Sequence, residues 1–203
     1  MITLALQEKR FGNRVILGPM ALHVARGEVL GIGGVSGAGK TTLLRILAGL
    51  DDGFSGRLAA GGRRAMVFQE PCLLPWRSVI DNVTIPTGMS VSAAAQMLVR
   101  VGLGGLGGLW PMQLSLGQQR RVALARAFVG APEILVMDEP FASLDQARID
   151  DLLTLTADLL AEAQPAVVLV SHAEAELAAL STRRVWLEGS PAALVDHRVL
   201  AGS

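Results

Sequence analysis

The chain has 203 residues, 18 basic and 18 acidic side chains, one cysteine and a mean hydropathy of +0.44. That length suits one domain with a substantial core, the even charge balance leaves no electrostatic footprint for nucleic acid, and a lone Cys72 rules out an internal disulfide. The longest uncharged stretches, 82–99 and 101–119, are broken by Pro, Gly, Ser or Gln and do not read as membrane spans, while Gln7-Glu8-Lys9-Arg10 interrupts any signal-peptide pattern.

Ile2 to Leu6 alternates weakly and predicts a strand. Phe11-Gly12 follows, then a second short strand at Leu22-His23-Val24 and a turn at Gly27-Glu28. Val29 to Ile32 is an apolar run that predicts a buried strand. It leads into Gly34-Val35-Ser36-Gly37-Ala38-Gly39-Lys40-Thr41, which fits G-x-x-x-x-G-K-[ST], the phosphate-binding P-loop. Thr42 to Gly49 predicts the outgoing helix, with Gly49 as its stop. Glycines let a backbone wrap closely around an anion, so that several N–H groups point at phosphate. Lys40 would set a point charge on the β- and γ-phosphates, and the Thr41 hydroxyl would ligate Mg²⁺. The plain alternative is a glycine-rich turn with an unrelated lysine.

Gly53, Gly56 and Gly61-Gly62 signal turns around short strands, and Ala65 to Phe68 predicts a strand ending at Gln69-Glu70-Pro71. From Cys72 to about Leu114 the composition shifts to frequent Pro, Gly and Ser, which predicts a small helical insertion. Its helices are expected at 78–83 and 92–101, the second capped by Ser92, with a glycine-rich loop at 102–108. Ser115 opens a strong helix over 116–129, and Gln118 stands at capping-box spacing from it. Ile134 to Met137 predicts a central buried strand ending at Asp138-Glu139. A helix over 146–163, a strand over 166–170, a helix begun by Ser171-His172-Ala173-Glu174 and a last strand at 185–187 complete the chain. Strands alternate with helices, which predicts an α/β fold with a mostly parallel sheet.

The pair Asp138-Glu139 falls at a strand C-terminus, where α/β sheets bind ligands. An Asp there can hold Mg²⁺, and the adjacent Glu can accept a proton from an attacking water. At this point the chain resembles the ATP-binding subunit of an ATP-binding cassette (ABC) transporter, from about Leu4 to Leu187. The ordered motifs are an early aromatic (Phe11), the P-loop, and a glutamine after a strand (Gln69). The signature Leu114-Ser115-Leu116-Gly117-Gln118, the strand ending in Asp138-Glu139, Ser143-Leu144-Asp145 and His172 follow. The resemblance implies a P-loop NTPase fold: a mostly parallel sheet core with a small antiparallel β part and a short helical subdomain. It divides the single domain into an ATP-binding core, 1–71 and 125–203, and a helical subdomain, 72–124, with the signature.

The resemblance also implies roles. Phe11 would stack on adenine, for which a ring face suffices; a buried strand-end Phe is the alternative. Gly34, Val35, Ser36, Gly37, Ala38, Gly39, Lys40, Thr41 and Thr42 would bind the phosphates. Thr41, Gln69 and Asp138 would hold Mg²⁺. Glu139, His172 and Gln69 would be catalytic, with Glu139 as the general base and His172 and Gln69 at the γ-phosphate. Ser115, Gly117 and Gln118 would bind ATP held by a second copy, and Asp145 would belong to the loop the family uses across the dimer, although Ser115 and Asp145 also suit plain N-caps. The family signature usually has glycine where this chain has Leu116; Leu116 is expected to point away from the nucleotide, with asymmetric or slow hydrolysis as the competing expectation. Arg120-Arg121 and Arg126 read as a solvated helix face, with an Arg120 contact near the nucleotide as the alternative, Cys72 as a small apolar residue, and His23 and His197 as structural.

Leu73 to Val83 is most similar to the nitrate, sulfonate, taurine and thiamine-like group of bacterial importers, with Trp76 as a candidate anchor on the permease or else packed within its loop. The function implied is ATP binding and hydrolysis powering solute import; an exporter ATPase and a soluble non-transport ABC ATPase are the alternatives. The implied cofactors are ATP and Mg²⁺. The implied partners are a second protomer in a head-to-tail homodimer, a membrane permease subunit and a solute-binding protein, with no nucleic acid. The implied location is the cytoplasmic face of the inner or plasma membrane, peripheral through the permease. The stretch after His172 is short for the family and leaves no expected room for a C-terminal regulatory domain.

Overall fold

The computed structural model describes residues 1–196, so His197 lies outside the described residues. In chain order the strands are β1 (Ile2–Phe11), β2 (Arg14–Leu17), β3 (Met20–Val24), β4 (Val29–Gly33), β5 (Phe54–Ala60), β6 (Arg64–Val67), β7 (Ile134–Asp138), β8 (Ala166–Val170), β9 (Arg183–Gly189) and β10 (Ala192–Val195). The helices are α1 (Lys40–Ala48), α2 (Val79–Thr87), α3 (Val91–Arg100), α4 (Leu116–Phe128), α5 (Gln146–Ala163) and α6 (Glu174–Leu180). A 3-10 turn, Pro111–Gln113, precedes α4.

One sheet runs β3-β1-β2-β10-β9-β4-β8-β7-β6, with β5 added along β1. The stretch β9-β4-β8-β7-β6 is parallel throughout. β1 pairs antiparallel with β2, β3 and β5, making the small antiparallel part. This is the α/β P-loop NTPase architecture, and it follows from the apolar runs. Every residue of β4, β7 and β8 is buried, as a strand covered on both faces requires.

Successive side chains of a strand point to opposite faces. Leu30, Ile32, Ile134, Val136, Val168 and Val170 therefore share one core with Leu43, Leu44, Ile46 and Leu47 of α1. Their neighbours Leu135, Met137, Val167 and Leu169 share the other with Val122, Leu124 and Phe128 of α4 and Leu152, Leu159 and Leu160 of α5. Val79 and Val83 of α2 and Ala94, Met97 and Leu98 of α3 join this second core, so the helical stretch shares packing with the sheet. Emptying such a position, as in Leu169→Ala, costs about 2–5 kcal/mol.

Several local expectations change. β1 runs to Phe11 rather than stopping at Leu6, and α1 begins at Lys40 rather than Thr42. β2 and β10 are additional strands, and β10 lies beyond the strand at 185–187 expected to be the last. The cap of α3 is Ser90, whose hydroxyl accepts from Ala93 N, so Ser92 lies inside the helix. No capping box forms at α6: Ser171 Oγ instead accepts from Ala173 N at 2.9 Å and donates to Glu176 Oε2 at 2.5 Å. The capping box at Ser115 and Gln118 is present. His23 is tied to Thr3 Oγ1 through Nδ1 at 3.1 Å. Cys72 is exposed rather than a packed apolar residue, and its φ is 48°.

Candidate functional site

In a parallel sheet the strand C-termini share one edge, and that edge holds the expected chemistry. β4 ends at Gly33 and opens the P-loop; β8 ends two residues before His172. β7 ends at Asp138, beside Glu139, and β6 ends two residues before Gln69. Phe11, Ser36, Lys40, Thr41, Gln69 and Glu139 border one open cleft of about 440 Å³, together with Gly37, Gly39 and Thr42. Ile16 of β2 also borders it; nothing in the sequence marked that residue, because its four-residue strand carries no periodic signal.

The P-loop conformation needs its glycines at two points. Gly34 has φ 141°, and a Cβ there would meet Leu187 O at 2.6 Å. Gly39 has φ 96° and caps α1, and a Cβ there would meet Leu17 Cδ2 at 2.8 Å. No side chain caps α1, so its first N–H groups are left for an anion, aided by the helix dipole. Lys40 is buried, and its ammonium donates to Gly34 O at 2.7 Å and Val35 O at 2.9 Å. The charge thus already lies inside the loop that would receive phosphate.

Asp138 and Glu139 are adjacent yet differently placed. Asp138 is buried and bonded by the Thr41 hydroxyl. Burial raises its carboxyl above the ordinary range; the Thr41 bond pulls it back, the Glu139 charge adds to the rise, and Lys40 and Arg45 oppose it. Glu139 turns out of the strand with φ 46°, in the left-handed region that costs a non-glycine residue about 1–3 kcal/mol, and donates its N–H to Val170 O at 2.9 Å. Its side chain reaches His172, with Glu139 Oε2 3.1 Å from His172 Nδ1. The arrangement offers a carboxylate that can take a proton beside a cradle that can hold a triphosphate.

The signature residues lie elsewhere. Ser115, Gly117 and Gln118 border a separate hollow of about 160 Å³, with Arg121 of α4 and Leu144 and Arg148 beyond the Ser143 turn. Ser115 Oγ accepts from Gln118 N at 3.3 Å, and Gln118 Oε1 accepts from Ser115 N at 2.9 Å. Leu116 is half-buried and does not border this hollow. One copy of the chain therefore does not bring the signature to the P-loop cleft.

Two arginines overturn the reading of a solvated helix face. Arg120 is buried and donates to Pro140 O at 2.6 Å and to Ala142 O, both in the loop after Glu139. Arg126 donates to Pro71 O and Cys72 O at 2.9 Å each, in the loop after Gln69. Arg121 pairs with Asp151 of α5. The signature helix thus grips both loops that leave the cleft.

Comparison with known proteins identifies the family and the fold. A family model described as ABC transporter matches residues 17–142. The aliphatic sulfonates import ATP-binding protein SsuB 2 of Burkholderia lata is 39% identical over 208 residues, covering 97% of this chain and 76% of that protein. Its namesake from Nocardia farcinica is 46% identical over 184 residues, covering 88% of this chain and 76% of that protein. Among solved structures, the dimeric post-hydrolysis state of the ATP-binding cassette MJ0796, bound to ADP and Pi, superposes with a TM-score of 0.83 at 27% identity, covering 96% of each chain.

Proposed function

The chain belongs to the ABC transporter family, and on that premise we propose that it is the ATP-hydrolysing subunit of a solute importer, acting as a head-to-tail pair with a second copy beneath a membrane permease. One observation supports this most: the P-loop, Gln69, Asp138-Glu139 and His172 share the C-terminal edge of a single parallel sheet. The sulfonate import named for the curated relatives extends here as import; no residue described above would touch the solute.

The P-loop amides and Lys40 bind the phosphates, and Phe11 stacks on adenine. Mg²⁺ suits the oxygen donors Asp138 and Thr41, which already touch, with Gln69 alongside; when bound it neutralises charge on the β- and γ-phosphates. Glu139 takes a proton as water attacks the γ-phosphorus; the new P–O bond forms while the bond to the β-phosphate oxygen breaks. His172 holds the Glu139 carboxylate in place, and with nucleotide bound it would hydrogen-bond the γ-phosphate. Ser115, Gly117 and Gln118 of the second copy close over the nucleotide, with the N-terminus of α4 facing the γ-phosphate. Closure excludes water and completes the site.

The division into a core, 1–71 and 125–203, and a helical subdomain, 72–124, assigns the permease contact to the latter. There Trp76 stands 65% exposed on a stretch braced by Asn82, whose amide bonds Leu74, Arg77 and Ser78. Among the described residues no helix is long and apolar enough to cross a membrane. The permease would then hold the subunit at the cytoplasmic face, with a solute-binding protein completing the importer.

The test is a pull-down of the Glu139→Gln variant with Mg-ATP from detergent-solubilised membranes. Recovery of a polytopic membrane protein that depends on ATP is expected. Recovery of soluble partners only, from an extract whose membrane proteins are intact, would overturn the transporter assignment.

A further inference from the structure

Strand β1 changes phase before it reaches the nucleotide cleft. Ile2, Leu4 and Leu6 point inward, so simple alternation would bury Glu8 and expose Lys9. Pairing with β5 slips between Leu6 and Glu8, where Gln7 is an extra residue: Leu6 faces Gly56 and Glu8 faces Ser55. Such a bulge re-aims the side chains that follow. Lys9 is accordingly turned in and only 4% exposed.

The buried ammonium is fully engaged. It donates to Asp51 Oδ1 at 2.6 Å and to Gly53 O at 2.9 Å, in the turn between α1 and β5. It also lies 4.8 Å from the centroid of the Phe11 ring. Phe11 is 55% exposed and borders the cleft that holds Lys40 and Thr41. A half-exposed ring before Gly12 has several rotamers open to it, and only one population can stack on a base. A fixed cation against the ring favours that population and stabilises it through the ring quadrupole.

We propose that Lys9, anchored by Asp51 and Gly53, is a positioning residue for nucleotide recognition that holds the Phe11 ring as the platform for adenine. The proposal rests on the reading of Phe11 as the stacking residue. It predicts that Lys9 matters for ligands with a base and not for the bare phosphate chain.

The test compares binding of Mg-ATP and Mg-tripolyphosphate to the full chain by calorimetry. Lys9→Met weakens ATP about three- to tenfold, the worth of a partly desolvated cation–π contact, and leaves tripolyphosphate within about twofold. Lys9→Arg, which keeps a cation, retains most of the ATP preference. If Lys9→Met does not fold, Lys9→Met/Asp51→Asn, which leaves no unpaired carboxylate, is read in its place. Phe11→Ala is the control for the platform. An unchanged ligand ratio in Lys9→Met, with a lowered ratio in Phe11→Ala, overturns the role of Lys9. Equal loss of both ligands in Lys9→Met overturns it too, since Lys9 would then act on the fold alone. An unchanged ratio in Phe11→Ala overturns the stacking reading itself.

Discussion

His172 Nδ1 lies 3.1 Å from Glu139 Oε2, across the gap between the ends of two adjacent parallel strands. The histidine side chain is 64% exposed and the carboxylate 21%, so the contact places a solvated ring against a more sheltered base. Glu139→Gln is expected to lower the single-turnover hydrolysis rate about 10²- to 10⁴-fold, the usual worth of a general base. Groups acting as one unit are strongly non-additive. The double variant Glu139→Gln/His172→Ala should therefore be about as slow as Glu139→Gln alone. Multiplicative losses would show that the two side chains work independently.

The signature helix reaches the base through Arg120, which donates to Pro140 O and Ala142 O just beyond Glu139. Lysine has a single ammonium nitrogen and lacks the rigid planar fork whose two separate nitrogens hold these carbonyls. Arg120→Lys is expected to slow hydrolysis while leaving the Kd for Mg-ATP unchanged. Arg120→Ala adds a stability loss of about 1–3 kcal/mol for each carbonyl left unpaired. Urea denaturation and stopped-flow turnover separate the two effects. Wild-type turnover in Arg120→Lys would leave Arg120 with a structural role only.

The fold was legible wherever burial alone dictates the element. β4, β7 and β8 are continuous apolar runs with every residue buried, and α5 and β8 occupy the expected residues, 146–163 and 166–170. β2 and β10 were not: each is four residues long, folds back in a hairpin on β1 or β9, and is too short to carry a periodic signal. Ser90 and Ser92 offer the same hydroxyl, and the chain reversal at Gly88, with φ 67°, decides between them. Motif spacing marks the residues that gather at the sheet edge. It does not mark Lys9, turned inward by a bulge, nor Arg126, whose partners are main-chain carbonyls; for Arg120 it offers only a contact near the nucleotide as the lesser reading.

Leu116 occupies the first helical position of α4, half-buried and outside the hollow bordered by Ser115 and Gly117. Leu116→Gly should then change ATPase turnover by no more than about twofold. It should also lower stability by up to ~1 kcal/mol, the cost of glycine in a helix. A large gain in turnover would mean that the leucine crowds the nucleotide of the second copy after all.

The Lys9–Asp51 pair that backs Phe11 has a pH signature. The Lys9 hydrogen bond holds the Asp51 carboxyl below its ordinary value of 3.8, burial opposes this, and the Gly53 N–H at 3.0 Å lowers it further. Folded protein therefore binds this proton more weakly than the unfolded chain does. The unfolded state carries more protons in that window, so stability rises with pH across it. The contribution is complete above the unfolded value and disappears as pH falls through the folded one. Wild type should lose urea resistance more steeply than Asp51→Asn between about pH 5 and pH 3, and the gap between them should narrow with acidification. Because both proteins share every other titrating group, their difference isolates this carboxylate. Parallel curves would mean that Asp51 meets the same environment in both states, and the anchor assigned to Lys9 would then contribute nothing to the folded protein.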